Sequence, residues 1–311
     1  MAQPGRLSEW FNRRGWRDLI IGLPYVWLVL LFLVPFLTVV AMSVATRTPT
    51  APPFGYGGEN PILNFEGYAR VFTDTLYVRS FLTSLMNAGI ATLFCLLIGY
   101  PMALGLTRVS PGWRGILLML VILPFWTSFL LRVYAWMGLM GRNSWFNGLL
   151  TDLHNLLVPQ AWAITHVPMM HSNFAVVLVM VYTYLPFMIL PLYANLERLD
   201  RSLDEAAMDL GSRPSRVFLD VTLPQSLPGI IAGGLLVFIP SAGELVIPTL
   251  VGDSGMPMIG RVISDEFSSA RDWPMASSVA VVLLILMVGP TILYSRFSAR
   301  AEGQGPMEAR K

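Results

Sequence analysis

Apolar and polar positions fall in long blocks along this chain rather than in the short periods of a soluble fold. Six blocks are long enough to be transmembrane helices: about Leu19 to Val44, Phe81 to Leu106, Ile116 to Met140, Asn173 to Leu196, Gly229 to Val251 and Met275 to Phe297. At about 1.5 Å of rise per residue, each crosses roughly 30 Å of hydrocarbon with some tilt. The pattern therefore predicts an all-α membrane protein with six transmembrane helices. Residues 1–18 form an N-terminal segment, 19–297 the six-span domain and 298–311 a tail. The first run is too long for a signal-peptide core and no A-x-A site closes it, so it is expected to be a retained span.

Composition agrees with this pattern. Of 311 residues, 54% are hydrophobic and 13% charged, against about 25% charged in soluble proteins. A net charge of +2 gives nucleic-acid binding no support. The single cysteine, Cys95, lies in an apolar run, so neither a disulfide framework nor a thiolate metal site is expected.

Charge then sets the orientation. With the N-terminus inside, fourteen Arg and Lys residues fall in inside segments, among them Arg13, Arg14, Arg108, Arg213, Arg216 and Lys311. Six fall outside: Arg47, Arg70, Arg79, Arg142, Arg261 and Arg271. The positive-inside rule thus places both termini in the cytoplasm. Trp10, Trp16 and Trp113 flank spans as interfacial anchors. In the outer loops, Asn64 to Phe72 suits a short surface helix, and WFNGLLTDLHNLL, with Trp145, Leu149 and His154, an interfacial one.

The polar stretch between the fourth and fifth spans, residues 197–228, is then cytoplasmic. Ser202 and Glu205 have the S-x-x-E form of a capping box. Ala206, Ala207, Met208 and Leu210 propagate a short helix that Gly211 stops. Pro214 opens a second helix, to which Val217, Phe218 and Val221 give an apolar side. Pro224 and Pro228 are expected to break the chain before the fifth span. The product is a rigid helix–turn–helix suited to docking; the plain alternative is a solvated loop.

This loop carries a motif. Glu205, Ala206, Ala207, Gly211, Val221, Leu223 and Pro224 spell EAA-x3-G-x9-V-x-LP, which resembles the EAA motif of permease subunits of binding-protein-dependent ABC importers. That family usually has Ile at the place of Val221. Three further stretches, Pro124 to Gly141, Gly229 to Gly252 and Met258 to Ala280, look like the putrescine/spermidine branch, most of all its putrescine permeases. The resemblance implies a type I importer permease fold, with residues 197–228 as a coupling loop seated in a cytoplasmic ATPase. It implies as partners a second, non-identical permease, two ATPase copies and a periplasmic polyamine-binding protein, all at a bacterial inner membrane. ATP and Mg would lie on the ATPase. This chain's only lysine is Lys311, so it cannot supply a P-loop. It is expected to be a transport subunit, not an enzyme, with no cofactor of its own. The rival reading is a proton-coupled secondary transporter using Glu244, and a scaffold without flux is a second.

Two charges lie within spans, Arg132 in the third and Glu244 in the fifth. Counted from the cytoplasmic ends, both are roughly 22–24 Å deep. They are candidates for an ion pair joining two helices, or Glu244 faces the pathway and attracts a cation. Pro240, Gly243 and Pro248 surround Glu244 and favour a kinked helix lining a cavity. A polyamine would suit carboxylates separated by aromatic faces, with Trp126, Tyr134, Trp136, Tyr182, Tyr184 and Asp253 as candidates. Lipid-facing or core packing is the alternative for each aromatic. Asp265, Glu266 and Asp272 suit either the outer mouth or contact with a binding protein. His154, His166 and His171 share one outer loop without further ligand spacing, and no metal or catalytic site is expected.

Overall fold

In a computed structural model of the chain, residues 20–57, 61–159, 164–253, 255 and 257–303 are described. The N-terminal arginines and tryptophans up to residue 18, and Arg310 and Lys311, lie outside these residues. The described chain is helical apart from one two-stranded ribbon. Helix α1 (Ile20–Ser43) leads to β1 (Thr46–Arg47), β2 (Phe54–Gly55), α2 (Glu66–Thr73) and α3 (Thr75–Arg108). Next come α4 (Pro111–Ile122), α5 (Phe129–Met140), α6 (Trp145–Leu157) and α7 (Asn173–Leu196). Helix α8 (Arg201–Asp209) and α9 (Pro214–Gln225) fill the polar loop. Then follow α10 (Leu227–Ala242), α11 (Val246–Val251), α12 (Ile259–Ser268) and α13 (Trp273–Gly303).

Four helices are long and apolar enough to cross a membrane, and six spans result if each of two bent helix pairs counts as one. The first, second, fourth and sixth apolar blocks are continuous helices. Asp74 starts α3 by accepting the Leu76 N–H at 2.9 Å, six residues before the apolar block begins. The other two blocks depart from the straight spans expected. The third bends by 90° between Pro111–Trp126 and Phe129–Leu157, through a 3-10 turn at Leu123–Trp126 that contains Pro124. The fifth stops at Ala242 and resumes at Val246. The sixth continues to Gly303, so the tail expected from residue 298 begins as helix.

Two compact units contain these elements. One holds the chain up to residue 71 and residues 266–282; the other holds 72–265 and the chain from 283 onward. In the first, little of α1 is buried (6% of its most apolar window). The Ser43 hydroxyl bonds the Tyr68 hydroxyl at 2.6 Å, and Ser278 donates to the Ser43 carbonyl at 2.8 Å. The Trp273 ring stacks on Phe267 at 4.9 Å and tilts against Phe54 at 6.0 Å.

In the second unit, α3, α7 and α10 pack together around Val179, Met180, Met188, Ile189 and Leu192, all buried. Small residues let the backbones approach, as in membrane bundles generally. A Cβ at Gly233 would lie 2.8 Å from the Met188 sulfur and 3.1 Å from its carbonyl oxygen. Sulfur also serves as a donor here, Cys95 reaching the Val181 carbonyl at 3.6 Å. The two expected surface helices form as α2 and α6. Ser144 caps α6 by accepting from Phe146 and Asn147.

Candidate functional site: a docking loop and a broken membrane helix

The polar loop is built as two capped helices, with one change from the sequence expectation. Asp200, not Ser202, is the N-cap of α8: its carboxylate accepts the Ser202 N–H at 2.9 Å. That bond holds the Asp200 carboxyl below the ordinary aspartate range. Ser202 is thus the second helical residue, and the Ser202–Glu205 capping box is not formed. A carboxylate two residues earlier satisfies the same end and meets the positive end of the helix dipole. The far end behaves as expected. Gly211 adopts φ +84°, its N–H bonds Met208 at 2.9 Å and the Ser212 N–H bonds Ala207 at 3.1 Å, the two bonds of a Schellman stop.

Pro214 opens α9 at its first turn. Its Val217 is buried, Phe218 meets Tyr100 edge-on at 5.6 Å, and the Thr222 hydroxyl donates to Asp204 of α8 at 3.1 Å. The chain breaks before the fifth span as the prolines suggested, at a bend that falls between them rather than at either ring. A π turn at Phe218–Thr222 widens the helix ahead of Pro224, which accommodates its missing N–H. Helix α9 runs on to Gln225, and Pro228 sits in the first turn of α10. The 64° bend between them falls at Ser226, whose buried hydroxyl is held by Tyr100 at 2.9 Å and Leu223 at 2.8 Å.

The motif residues reach the surface unevenly. Glu205, Ala206, Gly211 and Pro224 are exposed; Ala207, Val221 and Leu223 are half-buried. Beside them stand apolar side chains that the unit leaves uncovered: Leu203, Met208, Leu219 and Leu210, the last 88% exposed. An exposed apolar edge on a rigid polar loop is suited to contact with a partner.

The second feature is the break at Gly243–Leu245. Pro248 lacks an N–H, so the Glu244 carbonyl has no helical donor. Gly260 of α12 lies so close that a Cβ there would be 2.6 Å from both the Gly243 and Glu244 carbonyl oxygens. The freed N–H groups turn to the Glu244 side chain: Oε1 accepts from Val246 at 3.0 Å and from Ile247 at 3.4 Å. Oε2 accepts from the Tyr184 hydroxyl of α7. Both carboxylate oxygens are therefore occupied, and the residue is buried (8% exposed).

The expected Arg132–Glu244 ion pair is not formed: among the described residues, no Arg132 nitrogen lies within 4.0 Å of a carboxylate oxygen. The equal depths behind that expectation assumed a straight third span, and the 90° bend precedes Arg132. Its guanidinium instead sits over the rings of Phe125 at 5.5 Å and Phe129 at 5.7 Å. Among the other candidates only Tyr184 touches Glu244. Trp136 and Tyr182 meet each other edge-on at 5.5 Å. Trp126 and Tyr134 are 72% and 53% exposed, and Asp253 is an exposed turn residue accepting from Gly255 at 2.9 Å.

Residues 13–302 match the family described as "Binding-protein-dependent transport system inner membrane component". The chain belongs to that family. Among its relatives is the spermidine/putrescine transport system permease protein PotB of Haemophilus influenzae, 38% identical over 90% of this chain and 93% of the relative. PotB of Escherichia coli K12 is 36% identical over 88% of this chain and 94% of its own length. Among solved structures, a chain of a bacterial alginate ABC transporter in complex with its oligosaccharide-bound periplasmic protein aligns with a TM-score of 0.69 at 15% identity. That alignment covers 97% of this chain and 100% of the other. The chain is thus an ABC importer permease subunit with the type I permease fold, a multi-pass protein of the inner membrane.

Seen in this permease, the polar loop and the broken helix share one framework, since α7 and α10 pack together and α9 leads directly into α10. Sequence reasoning named Tyr184 but missed Phe125 and Phe187, which with it connect the two buried charges. Phe125 meets Phe187 at 5.0 Å, and Phe187 meets Tyr184 at 6.1 Å. The chain of contacts therefore runs Arg132, Phe125, Phe187, Tyr184, Glu244. Helical spacing held part of the signal, because Phe129 precedes Arg132 by three residues and Phe187 follows Tyr184 by three, whereas Phe125 comes to Arg132 across the bend.

Proposed function

We propose that this chain is the transmembrane permease subunit of an ATP-driven importer of polyamines, with putrescine among its substrates. The observation that carries the substrate class is the likeness to permeases named for spermidine and putrescine at 36–38% identity over about nine-tenths of the chain. Glu244 supports a cationic substrate: it is the sole buried carboxylate among the described residues of the unit that holds α3 to α12. In this reading the loop from Asp200 to Gln225 faces the cytoplasm with both termini. It takes up an ATPase subunit through Glu205, Ala206, Ala207, Gly211, Val221, Leu223 and Pro224. The exposed Leu210 adds apolar contact. ATPase closure moves α9, and the α9–α10 junction at Ser226 passes that motion to the helix that ends at Glu244. A second permease, two ATPase copies and a periplasmic binding protein complete the assembly, and ATP with its magnesium is held by the ATPase.

The test is uptake of radiolabelled putrescine by cells lacking this chain and by complemented cells, with unlabelled spermidine and arginine as competitors. Uptake that requires the chain, falls on ATP depletion and is displaced by polyamines but not by arginine supports the reading. Uptake that survives ATP depletion and collapses with an uncoupler makes the protein a proton-coupled transporter. An absence of any flux difference rules out a transport role for polyamines.

A further inference from the structure

Among the described residues, Arg132 is the charged side chain of this site whose chemistry is unfinished. It is 9% exposed, and its Nε and Nη1 groups are buried without a hydrogen-bond partner. Two phenyl rings compensate part of the charge, but a guanidinium in a low-dielectric interior is stable only when an anion and acceptors complete it. A cationic substrate cannot do so. Glu244 is the sole buried carboxylate in its unit among the described residues, and α5, which carries Arg132, packs against α11, the helix that Glu244 caps.

We propose that Glu244 exchanges partners during the transport cycle. In the conformation described, its carboxylate caps α11 through Val246 and Ile247 and accepts from Tyr184, leaving Arg132 open. In the other limiting conformation it leaves both and pairs with Arg132. The breaks at Thr127–Ser128 and Gly243–Leu245 are the hinges that carry the two groups toward one another. The α11 amides with Tyr184 and the Arg132 guanidinium are alternative partners of one carboxylate, which in the geometry seen here serves the first set alone. The exchange is therefore bistable rather than gradual. It places Arg132 as a positioning residue that acts through Glu244. The inference rests on the reading that the subunit alternates between two states, and is independent of which solute is carried.

Hydrogen exchange of the Val246 and Ile247 amides tests the exchange directly, because Glu244 protects both only in the present conformation. The full transporter in lipid nanodiscs is compared without nucleotide and trapped with ATP, magnesium and vanadate. These amides should exchange about tenfold or more faster in one of the two states, as loss of a protecting bond requires. Arg132→Met should abolish that difference and Arg132→Lys retain it. Glu244→Gln keeps one acceptor oxygen for the two amides, with its Nε2 donating to the Tyr184 oxygen, but cannot form the ion pair, so it should hold the amides protected in both states. It decides the matter if Arg132→Met does not assemble. Equal protection in both states of the wild type overturns the proposal, as does a difference that survives Arg132→Met. Uptake lost in Arg132→Met with the amides protected in both wild-type states assigns Arg132 to a carboxylate on another chain and also overturns it. Wild-type transporter that fails to take up solute at all refutes the transport reading instead.

Discussion

Gly211 separates the shape of the docking loop from its contacts. Its φ of +84° lies in the left-handed region, yet a Cβ built there meets nothing within 4 Å. Replacing it therefore disturbs backbone conformation and no packing within the chain. For an ordinary L residue the left-handed conformation costs about 1–2 kcal/mol, whereas asparagine tolerates it far better. If the ATPase binds the loop only in the Schellman geometry, that strain reduces affinity by roughly 5- to 30-fold for Gly211→Ala. Gly211→Asn should lose a few-fold at most. Because the space around the Cβ is open in the isolated subunit, Gly211→Trp should cost the permease no more than alanine does. Any further loss of affinity must then come from the partner's surface. The assay is equilibrium binding of the purified ATPase subunit to the permease in nanodiscs, with thermal denaturation as the control for folding. Alanine and asparagine binding equally well, both like wild type, would refute the claim that this turn is the recognised shape. Tryptophan binding as well as alanine would remove Gly211 from the contact surface.

Three further outcomes follow from geometry. Gly260→Ala places a Cβ 2.6 Å from two backbone oxygens, so it should lower stability by about 1–3 kcal/mol, read as an earlier denaturation midpoint in detergent; an unchanged midpoint would show that α12 is not seated on the break. The Asp200 cap has a sign in pH: its folded carboxyl lies below the ordinary value of 3.8, so its contribution is present above that value and is lost as pH falls through the folded one. Hydrogen exchange in α8 should therefore be flat, after correction for intrinsic rates, between pH 5 and 8 (about one to four units above that value), and Asp200→Ala should raise it across that range. Arg114 and Glu197 pair at 2.7 Å but are 26% and 44% exposed, so Arg114→Met should shift stability by no more than about 1 kcal/mol, measurable by the same denaturation; a larger loss would mean that its buried Nε has a structural role the exposed pair conceals.

The long spans and the docking loop were legible because each leaves a local mark. Twenty apolar residues, a glycine after a short helix and a proline at a first turn act within one or two turns of chain. The cap at Asp200 was readable in principle, since aspartate two residues before Ser202 competes for the same N–H, and the capping-box pattern obscured it. The Arg132–Glu244 pair was misread for a different reason. Depth was counted along helices assumed straight, and whether a proline bends a membrane helix is decided by what receives the freed backbone groups.

That last point orders the prolines of this chain. Pro101 lies inside α3, Pro186 and Pro191 inside α7 and Pro240 inside α10, with the helix continuing through each. The chain breaks after Pro124 and before Pro248, and at both places a polar side chain takes a backbone group. The Thr127 hydroxyl donates to the Pro124 carbonyl at 2.7 Å, and Glu244 accepts from Val246 and Ile247. Where water is absent, unsatisfied backbone is prohibitive, so a proline marks where a membrane helix can break, and at these two breaks a side chain takes up a backbone group. Glu244 is then first a structural carboxylate: without it the break has no cap. A residue that must hold a helix end in one conformation has to be replaced there if it moves in another. For that reason the proposed exchange gives the open guanidinium of Arg132, four contacts away along the aromatic chain, a part in the transport cycle rather than in the resting fold alone.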